Sequence, residues 1–165
     1  MEFTEEVDTV KSWIKDLSVI LKLELNLDSE GICSFQIGED TVIILEVSHD
    51  FPMLHIYSPL VPFPKDDVDG SVLLMAKALE LNAFQTLTRG GAIAAIPGEG
   101  MLIFCYTTPI EGGSSELLSK ILGSFYETVV EIKEILLESS DLSARGNERS
   151  IADEPKKRPL GMIKV

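Results

Sequence analysis

The chain has 165 residues, 45% of them hydrophobic, and a formal net charge of −13. That length suits one domain whose core needs no disulfide or metal, and the apolar fraction excludes a mainly disordered chain. No apolar run approaches the ~20 residues that span a bilayer, the acidic start MEFTEEVD lacks the features of a signal peptide, and the acidic body repels nucleic acid and anionic lipid. The expectation is a cytoplasmic protein with no nucleic-acid partner and no membrane insertion.

The first predicted element is a helix over residues 4–23. Thr4 stands as N-cap, with Glu5, Glu6 and Asp8 in the first turn, where the helix dipole favours acids. Val7, Val10, Trp13, Ile14, Leu17, Ile20 and Leu21 fall within roughly 140° of arc at about 100° per residue, with Lys11, Lys15, Ser18 and Lys22 on the other side. One face of this helix therefore covers a core or a partner.

Three strands follow, over residues 31–37, 41–47 and 53–60. Cys33, Phe35 and Ile37 alternate with Ser34 and Gln36, and Gly38-Glu39-Asp40 makes a short turn into a run rich in β-branched residues. Short turns between consecutive strands predict an antiparallel meander. Pro59, Pro62 and Pro64 predict a loop after it.

The second helix is predicted over residues 69–88, stopped by Arg89-Gly90-Gly91. Its apolar residues run round the whole circumference, and only Lys77 and Glu80 are charged between Val72 and Leu87. A helix apolar all round is buried on all sides, which one small domain does not achieve alone. The reading is a homodimer with Leu73, Leu74, Lys77, Leu81 and Phe84 at the subunit interface.

Residues 92–96 and 101–107 flank Pro97-Gly98-Glu99-Gly100 and form a second hairpin. Ser114 or Ser115 caps a third helix to about Glu138, with Leu117, Leu118, Ile121, Leu122, Phe125, Val129, Ile132, Ile135 and Leu136 on one broad face. Periodicity then ends. Residues 139–165 hold six bases against four acids, so they carry +2 and residues 1–138 carry −15. The division is thus an α+β domain over 1–138 and a mobile tail over 139–165. The order α-β-β-β-α-β-β-α, with strands segregated into meander and hairpin, gives an α+β fold with an antiparallel sheet and three helices.

No local motif carries catalysis. Cys33 with His49 or His55 and Asp50 supplies the residue types of a thiol nucleophile and its base, but Cys33 points with Phe35 and Ile37, and an inert core cysteine is the stronger reading. Cys105 also lies in an apolar run and reads as a small hydrophobe. The glycines at 90, 91, 98 and 100 precede no helix in a phosphate-loop pattern and read as turns. Pro155-Lys156-Lys157-Arg158-Pro159 looks like a basic address or an anion-binding patch, with a solvated charge run on the tail as the stronger reading. The chain is therefore not expected to be an enzyme, and no cofactor or metal is called for.

The element order resembles the class I type III secretion chaperones, the CesT-type Tir chaperone family, over roughly residues 4–138. The match is most characteristic in the second half. It comprises Asn82, the break at Gly90 and Gly91, the 92–96 strand, Pro-Gly-Glu-Gly at 97–100, residues 101–104, Thr-Thr-Pro-Ile at 107–110 and an acidic amphipathic last helix. The resemblance implies a homodimer in the bacterial cytoplasm that binds the N-terminal segment of secreted effector proteins and keeps it extended and competent for secretion. It also implies the secretion apparatus ATPase as a further partner and a place in virulence. Trp13, Ile20, Ile32, Ser34, Val42 and Ile44 are the candidate effector-binding residues. A second reading is a small dimeric α+β adaptor, roadblock-like, whose partners are folded proteins.

Overall fold

The computed structural model describes residues 3–152 apart from Pro97, with side chains described over 4–138 apart from Phe84 and Pro97. Helix α1 (Phe3–Leu21) leads into strands β1 (Ile32–Ile37), β2 (Thr41–Val47) and β3 (Met53–Pro62). Helix α2 (Val68–Asn82) and a 3-10 turn (Ala83–Gln85) precede β4 (Ala92–Ala95), β5 (Met101–Pro109) and α3 (Ser115–Ala152). The sheet is antiparallel throughout, in the order β1-β2-β3-β5-β4. The α+β class and the element order read from the sequence are those of the structure.

All three helices cover one face of the sheet, with α3 in the middle, packed on α1, α2, β2 and β3. The pleat explains the division of side chains. Cys33, Phe35, Ile43, Leu45, Leu54 and Ile56 alternate inward to the helices and are buried, while Ser34, Gln36, Val42, Ile44, His55 and Tyr57 turn outward. The core is closed from the helix side by Val10, Ile14 and Leu17 of α1, Leu74 and Leu81 of α2, and Leu118, Val129, Ile132 and Leu136 of α3. Phe104 of β5 meets Phe125 of α3 with ring centroids 5.0 Å apart, inside the range of favourable aromatic pairing.

Element boundaries depart from expectation in four places. Thr4 lies inside α1 and is not its N-cap. Strand β3 carries Pro59 and Pro62, expected in a loop. They stand where β3 has run past its pairing with β2 and holds β5 alone, with an irregularity in register between them, so their missing N–H groups cost little. Helix α2 starts on Asp67, whose carboxylate accepts from Gly70 N at 2.8 Å, and stops at Asn82 rather than Thr88. The chain there turns through left-handed Gln85, Arg89 and Gly90, at φ 51°, 47° and 91°. Helix α3, capped as expected by Ser114, whose hydroxyl accepts from Leu117 N at 3.2 Å, runs past Glu138 to Ala152, through the first half of the segment expected to be a tail. Residues 153–165, with the Pro155–Pro159 run, lie outside the described residues.

Candidate functional site

Three surfaces are built for contact, and each is fixed by local chemistry. The first is an open groove of about 640 Å³ between α1 and the segment 22–27, lined by Ile14, Ser18, Val19, Leu23, Leu25 and Leu27 with Lys11, Lys15 and Glu24 on its rim. Ser18 holds the groove's shape. Its hydroxyl accepts from Leu25 N at 3.3 Å and donates to Ile14 O at 3.0 Å, tying the returning chain to the helix. Leu25 and Leu27 form a buried floor, whereas Val19 is 77% exposed and Leu23 lies exposed beside it.

The second surface is the outer face of the sheet, which none of the described helices covers. Direct cross-strand neighbours share a face, so one row reads Ser34, Ile44, Tyr57, Cys105, Ala92 and the next reads Ile32, Glu46, His55, Thr107. The Tyr57 hydroxyl donates to Glu46 Oε2 at 2.9 Å, and His55 Nδ1 lies 3.0 Å from Thr107 Oγ1. Burial pushes the Tyr57 phenol up to about 12, helped by the hydrogen bond to the Glu46 carboxylate and by its charge and that of Glu99.

The third surface is the outer side of α2. Leu74, Ala78 and Leu81 face the core, while Val68, Val72, Met75 and Leu79 form an exposed stripe at helical spacing with Leu73 beside it. Five exposed large hydrophobics on a fifteen-residue helix exceed what scattered surface residues explain.

The predicted site residues divide accordingly. Ile32, Ser34, Val42 and Ile44 come together on the outer face of β1 and β2. Trp13 and Ile20 lie on α1, on the opposite side of the sheet. Ile20 is exposed, but Trp13 is only 9% exposed and its ring lies against Gly113, just before α3. A Cβ at Gly113 would collide with that ring, so Trp13 is a core residue that seats the β5–α3 turn. Of the α2 residues, Leu73 is exposed, Lys77 pairs with Glu80 at 3.0 Å, and Leu74 and Leu81 are inside. The Phe84 side chain lies outside those described. Val19, Leu23, Leu25 and Leu27 were not singled out from the sequence. Val19, on the polar side of α1, and Leu23, two residues past its end, are the apolar signal that marks the groove.

The structure does not bring Cys33 and His55 together. Cys33 is buried on the helix face and His55 projects from the outer face, so the sheet separates them. Burial pushes the Cys33 thiol above its ordinary value and Asp28 adds to this, against a lowering by a hydrogen bond from the Asn26 backbone, which disfavours the thiolate a nucleophile needs. Among the described residues no cluster of three His, Cys, Asp or Glu side chains is placed to hold a metal, and no helix is long and apolar enough to cross a membrane.

Comparison with solved structures finds the same fold in chains solved in complexes. The chain is similar to one in the HopA1–SchA chaperone–effector complex, with TM-score 0.59 and 21% identity over 76% of this chain and 94% of that one. It is similar to one in the ExsC–ExsE complex, with TM-score 0.66 and 13% identity over 82% and 97%. It is also similar to one in the heterodimeric ExoU–SpcU complex of the type III secretion system of Pseudomonas aeruginosa, with TM-score 0.54 and 14% identity over 79% and 96%. At these identities the likeness is one of fold. No curated protein sequence matches. A profile of the Tir chaperone protein family matches residues 12–133, from the middle of α1 to the middle of α3 and every strand between. The chain belongs to the Tir chaperone protein (CesT) family.

Proposed function

We propose that this protein is a type III secretion chaperone that binds the N-terminal segment of one or more secreted effectors and keeps it extended. The observation that carries the proposal is the groove between α1 and residues 22–27, an apolar trough with a buried leucine floor, Val19 and Leu23 exposed along it and a charged rim, beside the free edge of the sheet. A folded partner presents few side chains able to enter such a trough, whereas an extended segment delivers one anchor every second residue. The mechanism is binding alone. Anchors bury apolar area and govern dissociation, and the acidic surface steers approach. The protein acts in the bacterial cytoplasm as a homodimer closed through the α2 stripe, and hands its cargo to the secretion apparatus ATPase.

The test is calorimetry of the full chain against N-terminal fragments of proteins secreted by the same cell. Micromolar or tighter binding that survives moderate salt is expected, with no effect of nucleotide. Binding that vanishes at moderate salt would reduce the contact to charge steering. Failure with every such fragment, together with tight binding of a folded cytosolic protein, would establish the adaptor reading instead.

A further inference from the structure

A cavity of about 90 Å³ lies between the turn that leads into β4, strand β5 and the first half of α3. It shares no lining residue with the groove at α1. Two threonines, Thr88 and Thr128, line it, each 1% exposed, and the fold treats them oppositely. The Thr128 hydroxyl is used twice, donating to Ser124 O at 2.8 Å and accepting from Arg89 Nη1 at 3.0 Å. The Thr88 hydroxyl has no hydrogen-bond partner among the described residues, although Thr88 O accepts from Gly91 N at 2.8 Å. A buried hydroxyl left unpaired costs stability, so a fold that keeps one at a cavity wall has a use for it there.

The rest of the cavity limits what can pair with that hydroxyl. Phe104, Phe125 and Tyr106 supply aromatic surface, with the Phe104 and Phe125 centroids 5.0 Å apart. Gly91 makes room for this wall, because a Cβ there would collide with the Phe104 ring. Arg89 and Ser124, both exposed, form the mouth. Arg89 holds a left-handed φ of 47°, which is unfavourable for a residue with a Cβ. From there its guanidinium lies against α3, 3.5 Å from Glu127 and 3.4 Å from Glu131. A carboxylate or phosphate entering the mouth meets two carboxylates, and a cation meets the guanidinium. An uncharged guest meets neither.

We infer that this cavity is a second binding site, for an uncharged phenol group whose hydroxyl pairs with Thr88 and whose ring lies among Phe104, Tyr106 and Phe125. A phenol joins the two features the walls require. Its hydroxyl both donates and accepts, and its ring makes edge and offset contacts with other rings. It is also neutral at pH 7, since it ionises near pH ~10. An engineered cavity of about 150 Å³ encloses a whole benzene, so this smaller one takes the hydroxyl and part of the ring. The remainder stands at the mouth beside Arg89, where a guanidinium favours a ring face. A guest whose far end stays outside is either a free phenol or a tyrosine side chain carried on a polypeptide.

The test is a residue-resolved NMR titration of the full chain with phenol, benzene and N-acetyltyrosinamide. Phenol should shift the Thr88, Arg89 and Ser124 amides and bind at least about tenfold tighter than benzene, which leaves the Thr88 hydroxyl unpaired. Thr88→Val keeps the shape and removes the hydroxyl. Without ligand it should raise the thermal midpoint by about 2–4 °C, and it should weaken phenol at least about tenfold while sparing benzene. Thr88→Ser should keep the preference for phenol. The same shifts with N-acetyltyrosinamide support the site with a polypeptide as the source, and shifts with phenol alone support it with a free small molecule. Benzene bound as tightly as phenol, or phenol binding unchanged by Thr88→Val, overturns the proposal. So does a midpoint lowered by Thr88→Val, which would show the hydroxyl already paired in the free chain. Millimolar phenol that leaves these amides unmoved also overturns it, and leaves Thr88 to an ordered water only.

Discussion

Tyr57 stands at the centre of the uncovered sheet face, with its hydroxyl on Glu46 and its ring between Ile44 and Cys105 in the cross-strand row. Its raised value of about 12 has a definite consequence for stability. An unfolded tyrosine ionises near pH ~10, so the contribution is whole below that point and is lost as pH rises towards the folded value. Spectrophotometric titration should show one of the three tyrosines ionising late, and Tyr57→Phe should remove that step. Glu46→Gln should bring the step down, since the carboxylate's charge is withdrawn while burial stays. A late step unchanged by Tyr57→Phe would assign it to Tyr106 or Tyr126. Trp13 teaches a different lesson at this scale. Its place at the margin of the apolar arc fits both a groove and a core, and only the contact with Gly113, a hundred residues away in the chain, decides for the core. Spacing along one helix cannot express such a contact.

At the scale of elements, the order of helices and strands was legible because period 2 and period 3.6 alternate cleanly along the chain. The sheet order was not, since nothing in β5 announces that it inserts between β3 and β4. The end of α2 was also hidden. Apolar residues continue to Leu87, but Asn82 is committed to Ile93, and that commitment across eleven residues ends the helix. The even spread of apolar residues round α2 did reveal that its own chain leaves it partly uncovered, without revealing which side. The structure puts Leu74 inward at 5% exposure and Leu79 outward at 71%. Leu79→Asp should therefore keep the circular dichroism of the natural chain and run as a monomer by light scattering. Leu74→Asp should unfold it, because a buried unpaired carboxylate costs several kcal/mol. A Leu79→Asp protein of unchanged mass at micromolar concentration would remove the stripe as the dimer contact.

On the scale of the whole molecule, the charge of −15 over residues 1–138 and +2 over the remainder divides the chain where the described core also ends. Val129, Ile132 and Leu136 are each fully buried, and Leu136 is the last residue of the core, although the backbone of α3 stays helical to Ala152. Arg89 reinforces the helix earlier, reaching Thr128 Oγ1 at 3.0 Å and Glu131 at 3.4 Å from the left-handed turn before β4. What fastens α3 to the domain among the described side chains therefore lies before Glu138. A chain truncated after Glu138 should fold, keep its thermal midpoint within a few degrees and bind the same effector fragments. A chain truncated after Glu131 loses Ile132 and Leu136, each worth about 2–5 kcal/mol as a fully buried aliphatic, and should not fold. Thermal unfolding followed by circular dichroism separates the two cases. A large fall in midpoint for the first truncation would show that residues 139–165 pack on the domain, and a loss of fragment binding with the midpoint unchanged would place them in contact with the cargo.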